Sequence, residues 1–474
     1  MAADISLIPE IVALEARAGI IRIPSEIDVP FTKRVRRLVD LPVFRRLAKV
    51  SQLGLVSLVY PGATHSRFEH ALGVYHIMLR FLRQLCRDPR FESIVTPHDA
   101  EIVILAGLLH DVGHWPFCHA IEDLRLSDVP RHEELASRFL CHGGELANLI
   151  QDDWGVDSEE VLELIIGTTR MQKSRDVKKG DRARENSKKV GDTGNMRLLA
   201  SLISGPVDAD KMDYLQRDSL HAGVPYGRHF DPGRLIGSLI LNHSGDGLAL
   251  QEKGKTAAEL MVFARYVMFN EVYWHHTVRS ATAMLARAFY ELRMHLDLSE
   301  LFHQTEESMI QLLNDAAGSS CWSLLLDGIF GRSRFIYKRL AQFSSFEQPE
   351  VYHQLAGKPY PWLVRCARSL CHTLAAACHS EINEHEILID APPVQREVEF
   401  NVEIFFEKER CYRPLVEVSP VIRALAQQQF DDYVKRVRVF CHPRVVSILE
   451  KSGVDLTASL EAAAYQANRQ EIQQ

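Results

Sequence analysis

Four widely separated residues of this chain have the side chains to bind one divalent cation: His70, the adjacent pair His110 and Asp111, and Asp210. Each lies in a segment with helical periodicity, so the fold must bring helices together to join them. Two imidazoles and two carboxylates fill four of six octahedral positions and leave two for water and a substrate. If the four side chains converge, such a centre has the chemistry to hydrolyse phosphate esters.

The segment 110–119 strengthens this interpretation because it places three histidines within ten residues, around a glycine and a proline. Histidines of a hydrophobic core seldom cluster in this way, which favours a functional role. Adjacent side chains on a helix point about 100° apart, so His110 and Asp111 can contact one ion only near a helix end or bend. We expect Gly113 to supply the freedom for that bend.

Two upstream residues, His65 and Arg67, lie where a helix should begin. Helix N-termini favour anions, so Arg67 could bind phosphate there. The alternative is that both residues have only capping and surface roles.

Two downstream segments carry further polar side chains with helical spacing. In 207–218, Asp210, Tyr214 and Asp218 share a face with Lys211 beside it, and 264–276 places Arg265 and Tyr273 on one stripe. Taken alone, the first segment reads more simply as a charged surface and the second as core packing.

Helical periodicity prevails over most of the chain. Thr96 and Pro97 are a typical helix start, and the apolar residues that follow suit a buried helix ending near His110 and Asp111. A helix is also expected from Glu69 onward. Further helices are predicted around 132–142, 158–167, 196–220, 256–296 and 361–380, with a helical segment at 419–433. Strands are predicted near 248–250, at 396–407 and at 436–443.

These elements predict a mainly α fold with a helical bundle core over 1–320 and a smaller α+β lobe over 321–474, the lobe being a candidate for oligomer contacts. Residues 170–197 interrupt the core with ten Lys or Arg against four Asp or Glu. We expect a mobile insertion there, either a solvated loop or a lid that meets polyphosphate or nucleic acid.

Composition limits the functional class. The net charge of −7 argues against a protein that coats nucleic acid. Nine scattered cysteines without a CxxC pair fit reduced thiols and a cytoplasmic location. We expect no signal peptide and no membrane span.

Several motifs in this order resemble the HD-domain phosphohydrolases and, among them, the deoxynucleoside triphosphate triphosphohydrolases. The resemblance covers most of the chain. It extends to the animal enzyme of that family that carries a sterile-alpha-motif domain. The motifs lie at 40–54, 61–76, 105–119, 131–134, 207–218 and 265–276.

The resemblance implies a helical HD domain and assigns a role to most of the polar residues. His70, His110, Asp111 and Asp210 would bind the metal, which could be Mg²⁺, Mn²⁺, Fe²⁺ or Zn²⁺. The triphosphate would be held by Arg67, Lys211 and Arg265, with His114, His132 and Tyr214 nearby.

The resemblance also implies residues for proton transfer and for the nucleoside. His119 would be the general acid for the departing 5′-oxygen, oriented by Glu122. Tyr273 would stack beneath the sugar and exclude a 2′-hydroxyl. The remaining contacts to the sugar and base would come from Gln52, Leu53, Asp218 and His275.

Relatives of this kind are often tetramers activated by nucleotides bound between subunits. Asp40 matches a residue that reads guanine in that regulatory site. Arg45 and Ala48 replace its usual partners, and 23–27 replaces the usual start of the domain. A homo-oligomer, dimer or tetramer, is therefore expected more firmly than guanine-nucleotide activation.

The sequence thus predicts a dNTP triphosphohydrolase that releases deoxynucleoside and triphosphate. Two alternatives remain: an HD-type phosphodiesterase, nucleotidase or nuclease acting on another nucleotide or single-stranded nucleic acid, and a nucleotide sensor that does not turn over. Base preference and the activator cannot be read from the sequence.

Overall fold

The computed structural model describes residues 4–16, 18–177, 194–391, 402–428 and 434–472. Most of them are helical, so the predicted mainly α fold is confirmed. The α-helices of these residues are α1 (Pro9–Val12), α2 (Lys33–Val39), α3 (Pro42–Arg45), α4 (Arg67–Leu85), α5 (Pro89–Ile94), α6 (Pro97–Leu109), α7 (Cys118–Glu122), α8 (His132–Leu140), α9 (Glu145–Trp154), α10 (Ser158–Val177), α11 (Gly194–Ile203), α12 (Ala209–His221), α13 (Pro232–Ile236), α14 (Lys255–Met268), α15 (His276–Leu292), α16 (Leu298–Leu301), α17 (Glu306–Ala317), α18 (Ser323–Phe330), α19 (Pro349–Leu355), α20 (Tyr360–Cys378), α21 (Leu415–Val418), α22 (Pro420–Gln428), α23 (Pro443–Ser452) and α24 (Leu456–Ile472).

The strands form three small sheets. They are β1 (Ile20–Ile23), β2 (Ile27–Pro30), β3 (Leu239–Leu241), β4 (Leu248–Gln251), β5 (Lys338–Phe343), β6 (Ile387–Asp390), β7 (Glu403–Phe406), β8 (Cys411–Pro414) and β9 (Val437–Cys441). The orders are β1-β2, β3-β4-β7-β8 and β5-β9-β6. Only the β4–β7 pair is parallel among these described strands, with Leu250 opposite Ile404.

Helix α6 is the centre of the core, as its sequence predicts. It starts with a capping box in which the Thr96 side chain accepts from the Asp99 backbone N–H, and the Asp99 carboxylate accepts from Thr96. Its residues from Ile102 to Leu109 are all buried, and α4 and α10 pack on it. A helix that is apolar on every side ends at Leu109, so the next two residues emerge from the middle of the core.

Residues 402–425 extend the largest hydrophobic cluster of the helical core. Val402, Ile404 and Leu415 belong to the same buried cluster as α4 and α6, and β7 pairs with β4. A separate cluster joins α20, α23 and α24 to the sheet β5-β9-β6. The division into two domains at residue 320 stays a prediction, and the chain crosses that boundary to complete the four-stranded sheet.

Two predicted helices are each interrupted. The prediction over 196–220 is wrong in its middle, because Gly205 and Pro206 separate α11 from α12. Pro206 has no N–H for a continuous helix, and a Cβ at Gly205 would lie 2.4 Å from the Ser201 carbonyl oxygen. The prediction over 256–296 fails similarly, since a π-helical turn at Phe269–Tyr273 separates α14 from α15.

Parts of three predictions lie outside the described residues. Residues 178–193 contain most of the predicted basic insertion, while its flanks continue α10 and begin α11. Residues 392–401 and 429–433 contain the remainder of the predicted strand at 396–407 and of the predicted helix at 419–433. Among the described helices, none has the length and apolar character that crossing a membrane requires.

Candidate metal centre and active site

Three of the four predicted metal ligands converge. One ligand atom each of His70, His110 and Asp210 lies within 4.8 Å of the others. Asp210 Oδ1 is 3.0 Å from His70 Nε2 and 3.8 Å from His110 Nε2. His70 comes from the first turn of α4, His110 from the end of α6 and Asp210 from the first turn of α12, so the meeting of three helices creates the cluster.

Hydrogen bonds fix which ring nitrogen each histidine presents. His70 Nδ1 donates to Asp213 Oδ2 at 2.9 Å, and His110 Nδ1 donates to the Gly107 carbonyl at 3.0 Å. Both Nε2 atoms therefore point into the cluster. His110 Nε2 is buried without a hydrogen-bond partner, which is expected of a nitrogen that binds a metal ion.

The fourth predicted ligand, Asp111, lies beside this group. Its Oδ1 is 3.2 Å from His110 Nε2, and its Oδ2 accepts from Arg67 Nη1 at 2.8 Å. One oxygen thus remains directed at the cluster. The two histidines and two carboxylates fit a divalent cation in their donor types and in the orphaned His110 nitrogen.

The carboxylates around His70 control its protonation. Although burial disfavours its charge, hydrogen bonds with Asp210 and Asp213 raise the pKa of His70 to about 10. Burial opposes the charge of Asp111 as well, but nearby His110 and Arg67 hold the pKa of that carboxyl well below its ordinary value. The carboxylates around His70 therefore favour positive charge at this position.

Two glycines allow the helices to approach this closely. A Cβ at Gly73 in α4 would lie 1.9 Å from Asp213 Oδ1, where α12 crosses. A Cβ at Gly113 would lie 2.0 Å from the His132 carbonyl oxygen in α8. Gly113 does not have a positive φ, so its role is close approach and not the backbone freedom expected from the sequence.

A cavity of about 560 Å³ opens beside the metal ligands, a volume typical of sites for small molecules. Most residues predicted to contact substrate line it. They are Gln52, Leu53, Arg67, His114, His119, His132, Lys211, Tyr214, Asp218, Arg265 and Tyr273, together with all four predicted metal ligands.

The predicted triphosphate-binding cations have fixed positions on the cavity wall. Arg67 is held by Asp111, and Lys211 Nζ forms an ion pair with Asp208. The Asp208 side chain also caps α12, because it accepts from the Lys211 backbone N–H at 2.7 Å. The Arg265 guanidinium lies 5.5 Å from the Phe269 ring centre.

Asp218 and Tyr273, both predicted near the sugar, bind each other. Tyr273 Oη donates to Asp218 Oδ2 at 2.6 Å, and His65 Nε2 donates to Asp218 Oδ1 at 2.9 Å. The His65 ring stacks on His221, with 4.3 Å between centroids. His65 is therefore a buried positioning residue, which excludes the alternative that it has only a surface role.

Glu122 occupies a different place from the one expected. Its carboxylate accepts from His132 Nδ1 at 3.0 Å and from the His132 backbone N–H at 2.8 Å, so it orients His132 and not His119. His119 and Glu122 share the single turn of α7, but α8 begins beside that turn and brings His132 to the carboxylate. His114 Nε2 lies 3.4 Å from His119 Nε2.

These histidines differ in pKa. Burial and the charges of Arg67 and His132 lower the pKa of His119 to about 4. For His132 burial acts in the same direction, but Glu122 and Glu133 outweigh it and raise the pKa. The surroundings therefore favour the protonated form of His132 and the neutral form of His119.

Four predicted site residues lie away from the cavity wall, namely Glu122 and the three that follow. His275 caps the start of α15 and contacts Tyr60. Asp40 ends α2 at an exposed position, and the exposed Arg45 lies over the Phe68 ring. The roles in base contact and regulation stay predictions.

Sequence reasoning missed two aspartates that hold the site together. Asp213 orients His70 and is itself bound by Arg217, and Asp208 holds Lys211. Both belong to the acidic segment 207–218, and Asp213 follows Asp210 by one helical turn. That spacing was the available signal, but it does not distinguish a metal ligand from its support.

Known families match most of this architecture. An HD domain matches residues 67–218, and an HD associated region matches residues 230–457. The uncharacterized protein YwfO of Bacillus subtilis is 30% identical over 57% of this chain and 54% of its own length. A deoxynucleoside triphosphate triphosphohydrolase SAMHD1 homolog of Dictyostelium discoideum is 30% identical over 57% of this chain and 48% of its own length.

The chain therefore spans about half the length of these curated relatives. A hypothetical protein from Aquifex aeolicus has a similar crystal structure, with a TM-score of 0.65 and 26% identity. That match covers 93% of this chain and 99% of the Aquifex chain.

Proposed function

We propose that this chain, in which residues 67–218 match an HD domain and which is similar to the deoxynucleoside triphosphate triphosphohydrolases, is a metal-dependent enzyme that converts a dNTP to deoxynucleoside and triphosphate. One observation carries the proposal: the convergence of His70, His110 and Asp210 beside a cavity whose lining includes the cationic side chains of Arg67, Lys211 and Arg265. A metal centre needs the first group, and a polyphosphate needs the second.

The metal site consists of His70, His110 and Asp210, with Asp111 as the fourth ligand. A divalent cation bound there supplies a Lewis acid for the phosphate and lowers the pKa of a water molecule toward neutrality. Asp213 and the Gly107 carbonyl accept from Nδ1 of His70 and His110, so that each Nε2 points to the proposed metal site. Such outer hydrogen bonds orient the ligands and raise their basicity.

The triphosphate binds to Arg67, Lys211 and Arg265, which are spread along the cavity. Charge-assisted hydrogen bonds from these side chains distribute the negative charge of the phosphates. Arg67 and Lys211 already have carboxylate partners, so their positions are set before substrate arrives. This preorganisation reduces the entropic cost of binding.

His119 donates a proton to the 5′-oxygen as it leaves. In the free protein burial and the nearby Arg67 and His132 lower the pKa of His119 to about 4, which favours its neutral form at physiological pH. A bound triphosphate offsets those charges and raises the pKa of His119 toward the range that a general acid needs. Proton uptake at His119 thus accompanies substrate binding.

The sugar lies against Tyr273, whose hydroxyl is anchored by Asp218. An aromatic ring fixed in this way leaves little space for a 2′-hydroxyl and selects deoxyribose. We also propose a homo-oligomer, a dimer or tetramer, as the working form, with nucleotide activation as a separate question.

A nucleotide panel tests the proposal. The purified chain is incubated with Mg²⁺ or Mn²⁺ and with each dNTP, alone and in pairs, and triphosphate release is measured. Release of triphosphate from dNTPs supports the proposal, and activity restricted to mixtures identifies an activator. Intact dNTPs under every condition refute it.

The same assay separates the alternatives. Cleavage of single-stranded DNA or RNA with no triphosphate release identifies a nuclease. Release of orthophosphate or pyrophosphate identifies another nucleotide hydrolase. Nucleotide binding without turnover identifies a sensor.

A further inference from the structure

A second group of potential metal ligands lies in the same cavity. It contains His114, Cys118, His119 and His132, and one ligand atom of each lies within 4.8 Å of the others. Asp111 lies between this group and the first, since its Oδ1 is 3.1 Å from His114 Nδ1 and 3.2 Å from His110 Nε2. The proposed reaction gives no role to the buried thiol of Cys118, which nevertheless belongs to the cavity wall.

Two imidazoles of this group already have the spacing of ligands to one ion. His114 Nε2 and His119 Nε2 are 3.4 Å apart. Two nitrogens bound at about 2.0–2.1 Å to a tetrahedral zinc ion are separated by about 3.3 Å. Small side-chain movements therefore suffice to place both nitrogens on one cation.

A carboxylate lies beside the outer ring nitrogen of two of the histidines. His132 Nδ1 donates to Glu122, which leaves Nε2 free apart from Glu133 Oε1 at 3.6 Å. His114 Nδ1 lies 3.1 Å from Asp111 Oδ1 but forms no hydrogen bond with it. Histidine ligands to metals are usually oriented by such carboxylates on the opposite ring nitrogen.

The donor set determines which cation fits. Three imidazoles and one thiolate favour Zn²⁺ and other thiophilic divalent ions, whereas Mg²⁺ prefers oxygen ligands. The first group offers carboxylate oxygens and no sulfur. The two groups thus differ in chemistry, although they share one cavity.

We propose that His114, Cys118, His119 and His132 form a second metal site, which binds a thiophilic divalent cation such as Zn²⁺. On binding, the Cys118 thiol loses its proton to solvent and Sγ bonds to the ion. A zinc ion bound here withdraws His119 from proton donation and so inhibits the enzyme. This inhibition, unlike the metal site itself, rests on the proposed function. The site makes catalysis sensitive to free zinc.

Cobalt titration tests the site without relying on activity. Co²⁺ is added to the full chain under reducing conditions, and the thiolate-to-cobalt charge-transfer absorption is recorded. We expect this band in the wild type and in Cys366→Ser, a buried cysteine in α20 that serves as the matched control. The band should be lost in Cys118→Ser and in Cys118→Ala, and it should persist in Asp210→Asn.

Circular dichroism establishes that each variant is folded. If either Cys118 variant fails to fold, the other carries the test. A wild type without the band, or folded Cys118 variants that keep it, overturns the proposal.

Inhibition is measured separately, as the effect of added Zn²⁺ on dNTP hydrolysis with excess Mg²⁺. Losing an outer carboxylate costs about 10–100-fold in metal affinity, so Glu122→Gln should need about 10–100-fold more zinc for half inhibition. Cys118→Ser should need more than about 100-fold, because it loses a direct ligand. Equal zinc sensitivity of wild type and Cys118→Ser overturns the inhibitory role. If the protein does not hydrolyse dNTPs even when no zinc is added, but still gives the cobalt band, only the proposed function is refuted.

Discussion

Two histidine clusters share one cavity and one aspartate, yet their surroundings shift the pKa values of His70 and His119 in opposite directions. Burial opposes the charge of both His70 and His119. For His70, carboxylates outweigh burial and raise the pKa to about 10. For His119, Arg67 and His132 add to burial and lower the pKa to about 4.

The difference shows that neighbouring charge, and not the residue type, divides the labour of the site. The proposed cation at the cluster of His70, His110 and Asp210 would have to displace a proton from His70, because the surrounding carboxylates raise the pKa of that ring. In the cluster of His114, His119 and His132, burial and the charge of Arg67 lower the pKa of His114 and of His119, which favours the neutral form of both rings. The following variants test this contrast, beginning with the largest expected effect.

Asp210→Asn should abolish the attraction of the first cluster for a cation. Lewis-acid stabilisation is worth several kcal/mol, so we expect dNTP hydrolysis to fall by about 10³–10⁴-fold. Metal content measured by mass spectrometry should fall with it. The control is Asp152→Asn, an exposed residue of α9. Retained activity and retained metal would contradict the assignment of the first cluster.

His119→Asn should remove the proton donor while leaving the first cluster loaded. General acids contribute about 10²–10⁴-fold, and we expect kcat to fall by about 10²–10³-fold with little change in KM. The pH dependence of kcat should lose the limb that reports the acid. Exposed His229→Asn is the control. If the variant loses activity and metal together, the two clusters are not separate.

Gly73→Ala should damage the first cluster only. The added Cβ would overlap Asp213, which orients His70, and overpacking of this kind typically costs about 1–3 kcal/mol. We expect the free energy of unfolding, measured by urea denaturation, to decrease by about 3 kcal/mol. Metal binding should become weaker as well. Gly167→Ala is the matched control, because a Cβ there has no heavy atom within 4 Å. Equal effects of both substitutions would show that α4 and α12 can move apart to accommodate the added Cβ at little cost in stability.

His76→Gln tests whether burial and neighbouring charge together lower the pKa of another histidine of α4. Burial and the charges of Arg80 and Arg83 lower the pKa of His76 to about 4. From about pH 7 to about pH 5 the unfolded chain binds a proton at its ordinary pKa of about 6.5, and the folded chain does not. Stability therefore falls with decreasing pH, by about 2 kcal/mol from this residue.

The His76→Gln variant should lose that part of the pH dependence, measured as the free energy of unfolding at both pH values. His229→Gln should keep it. An unchanged slope in His76→Gln would mean that His76 titrates equally in both states.

The sequence predicted the elements whose signals are local. Thr96 and Pro97 marked the start of α6, and the all-round apolar pattern marked its burial. The helices at 132–142 and 361–380 were also anticipated closely by periodicity. Helix breaks were missed at Pro206 and at the π-turn, because the surrounding hydrophobic period continues across both.

Partner choice was predicted less well. Glu122 was assigned to His119, three residues away on the same short helix, but it binds His132 on another helix. Spacing along one helix shows which side chains share a face. It does not show which residue of a different helix reaches that face first.

By itself the sequence determined the inventory: which imidazoles, carboxylates, cations and thiol are available, and which helices carry them. Periodicity and capping depend on neighbours along the chain, so they can be read without a fold. Only the tertiary structure decided that Asp213 supports His70, that Glu122 serves His132, and that Cys118 joins three histidines. Those outcomes depend on how closely helices cross at Gly73 and Gly113. The distance between two helices cannot be predicted from the sequence of either segment alone.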